Sequence, residues 1–415
     1  MKVLDIDLNT YNSSLMTKKR NASFLLLSVY VIIHFCSYFT RFDYVVLELF
    51  FFTLFSFCLK KLYTAYIVGV GFFFITALRY FAIHSDVSGY FAPVYHLLKY
   101  YRLIYIPIII GVFSNLNVVQ KRFLIVEILI CVCITNIISL YYVSIDDLAI
   151  RYRGMKDGIP NDDTYPGIIR FSQVFSSAFL NFILLISIIL NKNRTFVIWL
   201  FLVLVLNTIT LIKSQLMTPI LCFCLVVLFY IIFQHYKQKF INFVILVVIP
   251  VLLFYKKISE LLLGYLDYIK SDFIAKRLEA ILNFAISGDG RKYSAINNRM
   301  NKIDISLSSF NTSPLFGIGY GKYDSNVVGS HQDWFDILAV SGVLGFVIVL
   351  IVIIISSKMV LKTTFNDSDK KAFLAAMIVF LVLGFLDPCL DICIFFAVFV
   401  IIPNFSVVFK RRIKC

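Results

Sequence analysis

The sequence predicts an all-α polytopic membrane protein of about twelve transmembrane helices, and three observations carry that prediction. First, 60% of its 415 residues are hydrophobic and only 15% are charged, whereas soluble domains are nearer half apolar and a quarter charged. Mean hydropathy is +0.87. Such a chain cannot cover a surface with polar groups, so lipid is its solvent. Second, apolar runs such as residues 243–254 and 342–355 show no period-two alternation. In lipid every backbone N–H and C=O needs an internal partner, and without barrel-type alternation only helices supply it. Third, Lys and Arg recur in every second connection, which is the imprint of a chain crossing a bilayer repeatedly.

A hydrocarbon layer of ~30 Å takes about 20 apolar residues per span. The expected spans are 23–40, 44–59, 62–83, 103–119, 123–143, 169–190, 195–212, 216–233, 240–255, 334–356, 372–387 and 392–409. A cytoplasmic tail (1–22) precedes a bundle (23–255) that contains an outer loop at 144–168. A large extracytoplasmic loop (256–333), the last three helices (334–409) and a short cytoplasmic tail (410–415) follow. Residues 1–20 are too polar for a cleavable signal, and the first apolar run is expected to stay as the first span.

Orientation follows from charge. With the N-terminus inside, the inner connections hold about half of the 39 basic residues, among them Lys18, Lys19, Arg20, Lys121, Arg122, Lys370 and Lys371. Basic residues concentrate on the cytoplasmic side of short loops, so both ends are expected there. The net charge of +15 is explained by this bias and does not point to nucleic acid. The nine cysteines lie mostly in apolar runs, where Cys behaves as a small hydrophobe. No metal site is expected. Ionisable residues inside the spans are few (Glu48, Arg79 and Glu127), which argues against a proton-coupled transporter.

Two outer segments run against the charge rule. One holds Arg151, Arg153, Lys156 and Arg170. The other, from Lys256 to His331, holds Arg291, Arg299 and Lys302 among ten lysines and arginines. Asp387 and Asp391 flank Pro388 between the last two spans; they either pair with a loop arginine or form a polar turn. No Walker-type loop, H-E-x-x-H or G-x-S-x-G is present, and Gly317 to Gly321 lacks the strand and helix that a dinucleotide loop requires.

The order Gly290-Arg291, Arg299, Ser313-Pro314-Leu315-Phe316-Gly317-Ile318-Gly319-Tyr320-Gly321, His331-Gln332 and Gly342-Val343-Leu344-Gly345 resembles the O-antigen polymerase and ligase superfamily over residues 288–346. In that family an arginine opens a helix, and a PLxGxGxG turn follows some fifteen residues later. A His-Asn/Ser/Gln pair then leads into a span with a glycine-rich start. The resemblance implies a metal-independent, cofactor-free glycosyltransferase of the GT-C type in the bacterial inner membrane. Its donor would be an oligosaccharide on undecaprenyl pyrophosphate, with membrane lipid around it; whether a chain-length regulator is also a partner is left open by the sequence. It implies Arg299 and then Arg291 on the pyrophosphate, because the guanidinium fork matches phosphate oxygens. His331 would be the base for the acceptor hydroxyl, since imidazole titrates near neutrality. Arg151 and Arg153 would grip pyrophosphate or saccharide. Asp333 and Asp336 would orient His331 or bind sugar hydroxyls. Ligases of the family carry an arginine after a Ser or Thr at the start of the eighth span. Here Gln215 stands there, with Lys213 as a substitute nearby. That departure favours a Wzy-type polymerase over the ligase; a lipid-oligosaccharide flippase is the third expectation.

Overall fold

The computed structural model describes residues 2–36, 106–146, 149–152, 155–156, 159–160, 165–191, 194–235, 249–266, 272–287, 294–318, 332–364 and 366–406. These form α1 (Lys2–Phe35), α2 (Ile106–Asn115), α3 (Val118–Ile145), α4 (Ala149–Tyr152), α5 (Phe171–Leu190), α6 (Arg194–Lys213) and α7 (Met217–His235). They continue with α8 (Ile249–Leu263), α9 (Asp272–Ser287), α10 (Ser294–Thr312), α11 (Asp333–Thr363), α12 (Asp367–Leu386) and α13 (Ile392–Asn404). A two-residue antiparallel pair, β1 (Met155–Lys156) and β2 (Ile159–Pro160), completes the described elements. Among the described residues, α3, α5, α6, Met217–Gln234 of α7 and α11 are long and apolar enough to cross a membrane.

Several boundaries differ from the sequence expectation. α1 is one helix from Lys2, so the predicted tail is continuous with the first span, and it stops at Phe35 rather than near 40. The predicted spans 44–59 and 62–83 lie outside the described residues. α8 runs to Leu263, beyond the expected end at 255, and the expected loop 256–333 is largely helical through α8, α9 and α10. Exposed lysines (Lys256, Lys257) do not end α8, because helix propensity at the surface tolerates lysine well.

The last segment, α13, is buried from Ile392 to Pro403 and passes from α-helix (Ile392–Phe395) through π-helix (Phe396–Ile401) to a 3₁₀ turn (Ile402–Asn404). Pro403 is the cause. It has no N–H to give the preceding turn, and Ile402 N–H already reaches back five residues to Ala397 O. Asn404 Nδ2 donates to Val400 O at 2.9 Å, supplying from a side chain a bond the backbone lacks.

Helix directions follow from side-chain pairs. Asn21 meets Gln120, Phe24 meets Phe123, and Ser28 Oγ donates to Glu127 at 2.6 Å. The offset is constant, so α1 and α3 run parallel, as expected for predicted spans one and five. α7 and α12 run antiparallel, Tyr230 and Gln234 bonding Ser368. Inside the bundle Asn136 Nδ2 donates to Asn207, and Asn207 Nδ2 donates to Asn181 and to Ser177 O. This chain of amides ties α3, α5 and α6 together, the way polar side chains link helices in lipid. Phe373, Phe380, Phe395 and Phe399 meet edge-to-face where α12 meets α13, and Phe396 meets Phe35 of α1 in the same way.

Candidate functional site

The site is built on the Leu386–Asp391 turn between α12 and α13. Proline at 388 and three aspartates at 387, 391 and, from α11, 333 shape it. Asp333 has no exposed surface, and its Oδ2 accepts the N–H of Cys389 at 2.6 Å and of Leu390 at 2.7 Å. Asp391 caps α13 by accepting Cys393 N–H. Trp334, next to Asp333, donates its indole N–H to Leu381 O and pins α11 against α12. The end of α1 joins at the same level, since His34 O accepts from Gln173 at the start of α5 and from Cys393 Sγ.

Replacing Asp333 with Ala leaves two buried backbone donors unmet, each costing about 1–3 kcal/mol. We expect a large loss of thermal stability in detergent, measured by the unfolding midpoint. An unchanged midpoint would remove Asp333 from this role.

α10 supplies the cation. Arg299 Nη1 donates to Leu386 O at 3.3 Å, and Nη2 lies 3.4 Å from both carboxylate oxygens of Asp387. The arginine side chain is 44% exposed and that of Asp387 4%. One arginine therefore closes the carbonyl end of α12, where positive charge complements the helix dipole, and still presents nearly half its surface outward. Asp387 resolves the two alternatives left open by the sequence: it pairs with a loop arginine, while Asp391 forms the turn. Arg299 lies in the second turn of α10 and does not open the helix.

Positions 299, 302 and 306 fall on one face of α10. Lys302 is partly buried, and burial holds its ammonium pKa below the ordinary value; Asp336 opposes that shift and Arg299 adds to it. Ser306 Oγ donates to Asp336 Oδ1 at 2.8 Å, and Asp336 Oδ2 accepts Gln332 N–H at 3.3 Å. The carboxylates of Asp333 and Asp336 thus hold α10, α11 and the turn together, and Asp336 grips the backbone one residue beyond position 331.

The turn after α10 is locked into a break in α11. At Gly342 the backbone leaves the helix (φ 64°, ψ −169°). The groups freed there are taken up from the 314–318 segment: Val343 N–H donates to Pro314 O at 2.8 Å, Leu344 N–H to Leu315 O at 3.3 Å, and Ile318 N–H to Ala339 O at 2.9 Å. Gly317, also at positive φ, faces Val340 across this seam. The two glycine motifs read from the sequence are two sides of one backbone junction.

His331, Arg291, Arg153, Gly319 and Gly321 lie outside the described residues. Arg151 is on α4, at the end of α3 that carries the β1–β2 hairpin. There Tyr165 O–H donates to Asp146 at 3.2 Å and its ring packs on Tyr142. Lys213 closes α6 and is exposed, at the level of the start of α5. The Ser214-Gln215 turn that follows puts Gln215 at φ 54°, and Ser214 Oγ donates to Leu211 O at 2.6 Å. Arg299, Asp333, Asp336 and Gln332 are brought together; Lys213 and Arg151 stand on neighbouring helices at the same end. Sequence reading singled out neither Lys302 nor Ser306 as site residues, although their spacing from Arg299 along a helix was available. No protein-family model and no curated protein sequence matches this chain.

Proposed function

We propose that this chain is a membrane glycosyltransferase that extends a polysaccharide. It joins lipid-pyrophosphate-linked repeat units on the outer face of the bacterial inner membrane, with twelve spans in a GT-C-type bundle and both termini cytoplasmic. The reading is supported by one observation above others. A half-exposed guanidinium, Arg299, is anchored at the turn that Asp333 also holds, and Asp333 is two residues from His331.

In this reading an acceptor sugar hydroxyl attacks the anomeric carbon of the donor. The glycosyl–phosphate bond breaks with inversion, and undecaprenyl pyrophosphate leaves. His331 takes the hydroxyl proton. Arg299, with Lys302 one turn away, meets the charge growing on the departing pyrophosphate, and preorganised charge of this kind is usually the largest catalytic contribution. Arg291, Arg151, Arg153 and Lys213 extend the cationic surface toward donor and acceptor glycan.

The test is the glycan profile of cells carrying His331→Ala or Arg299→Ala. Long chains are expected to vanish while single repeat units accumulate on the lipid; a normal ladder in both variants sinks the proposal. Long polymer accumulating on undecaprenyl pyrophosphate would instead identify a ligase. Purified protein that joins no lipid-linked units in detergent would favour a flippase.

A further inference from the structure

At the end of the bundle opposite the Leu386–Asp391 turn, a narrow cleft opens between α2, the start of α3, the end of α11 and α13. Phe113, Ser114, Lys121, Thr363, Phe399 and Asn404 line it. Lysines at the ends of membrane helices ordinarily extend their ammonium outward to water. Lys121 turns inward. It is partly buried, and its Nζ sits 5.4 Å from the centre of the Phe113 ring. Among the described residues no carboxylate pairs with it. An ammonium withdrawn from water without an anion is costly, and the aromatic face offsets only part of that cost.

One further donor near it suits an anion. Asn404 Nδ2 uses one hydrogen on Val400 O and keeps another. Ser114 and Thr363 spend their hydroxyl hydrogens on carbonyls of their own helices, and among the described residues no acid lines the cleft. The surroundings are those of an acyl chain, since Val118, Val119 and Phe123 on the first turns of α3 are all exposed. Arg194 at the start of α6, and Lys358 and Lys362 in the last turns of α11, place further positive charge at this end of the bundle.

We propose that this cleft binds the phosphate of an acidic phospholipid, with Lys121 as the principal contact and Asn404 as a second donor. Basic recesses between membrane helices take anionic lipid headgroups for the same reason. The inference does not rest on the proposed glycosyl transfer.

The experiment follows the unfolding midpoint of the full-length, delipidated protein in neutral detergent as phosphatidylglycerol or phosphatidylcholine is added. Phosphatidylglycerol is expected to act at a mole fraction about five-fold lower, the preference one lysine gives at an acidic surface. Lys121→Gln should erase the preference and Lys121→Arg should keep it. Lys362→Gln, which removes the same charge outside the cleft, should also keep it. An undiminished preference in Lys121→Gln, or an equal loss in Lys362→Gln, overturns the proposal. So does an equal response of the wild type to millimolar inorganic phosphate, which would mark a soluble-anion site. If Lys121→Gln does not fold, Ser114→Leu, which fills the cleft and leaves the cation, must erase the preference; its persistence overturns the proposal as well.

Discussion

Gly342→Ala is expected to be strongly destabilising. Its backbone lies in a region of conformational space that only glycine occupies readily, and forcing another residue there costs about 1–3 kcal/mol. A Cβ at this position would also come within 3.0 Å of the Leu315 carbonyl carbon and oxygen. These are backbone atoms held by the Val343–Pro314 and Leu344–Leu315 hydrogen bonds, so relief requires opening the junction. The combined loss is at least about 3 kcal/mol, adding strain to two unmet hydrogen bonds. In detergent the variant should show a sharply lower unfolding midpoint or no folded fraction. Gly264→Ala is the control: its Cβ would meet only Leu261 O at 3.5 Å, so little change is expected. A wild-type midpoint for Gly342→Ala would mean that the seam between the 314–318 turn and α11 does not hold the two segments together.

If the chain is the proposed glycosyltransferase, Arg299→Ala lowers its activity by about two to three orders of magnitude, as for loss of one preorganised donor to developing charge. Arg299→Lys should recover only part of it, because an ammonium provides the charge without the bidentate fork. The substitution also takes the guanidinium away from the buried Asp387 carboxylate. With its partner nearly half exposed, that contributes on the order of 1 kcal/mol of instability. The double variant Arg299→Ala/Asp387→Asn separates the two effects. It removes the carboxylate charge that the arginine had balanced and should raise the unfolding midpoint, yet it should leave polymerisation of purified lipid-linked units as low as in the single variant. If activity returns along with stability, Arg299 serves the fold and not the chemistry.

That the chain is helical, with several helices long and apolar enough to cross a membrane, was legible because a lipid-facing helix must be apolar for some twenty residues, and that requirement is written locally in the chain. The even spacing of basic connections was legible for the same reason. α1 and α3 run parallel and α7 and α12 antiparallel, as the alternation requires. Element ends were less legible. α8 continues past Lys256 and Lys257, and α13 changes its winding ahead of Pro403, since neither event interrupts hydrophobicity.

The site was legible as residue types and not as contacts. Arg299 stood out as a cation in a segment the charge rule leaves poor in Lys and Arg, and Asp333 as an acid beside a candidate base. That Arg299 pairs with Asp387, 88 positions further on, is invisible to any local pattern. So is the use of Asp333 to hold Cys389 and Leu390.

The amino-acid sequence by itself determined that this protein is helical, apolar enough for a membrane and rich in Lys and Arg in particular connecting segments, because hydrophobicity, period and charge sign are properties of short stretches. Only the tertiary structure decided which carboxylate answers which cation, where two glycines let backbones touch, and that Lys121 faces a cleft rather than water. Those outcomes depend on groups far apart in the chain being packed within hydrogen-bonding reach, and packing is settled by the whole bundle at once.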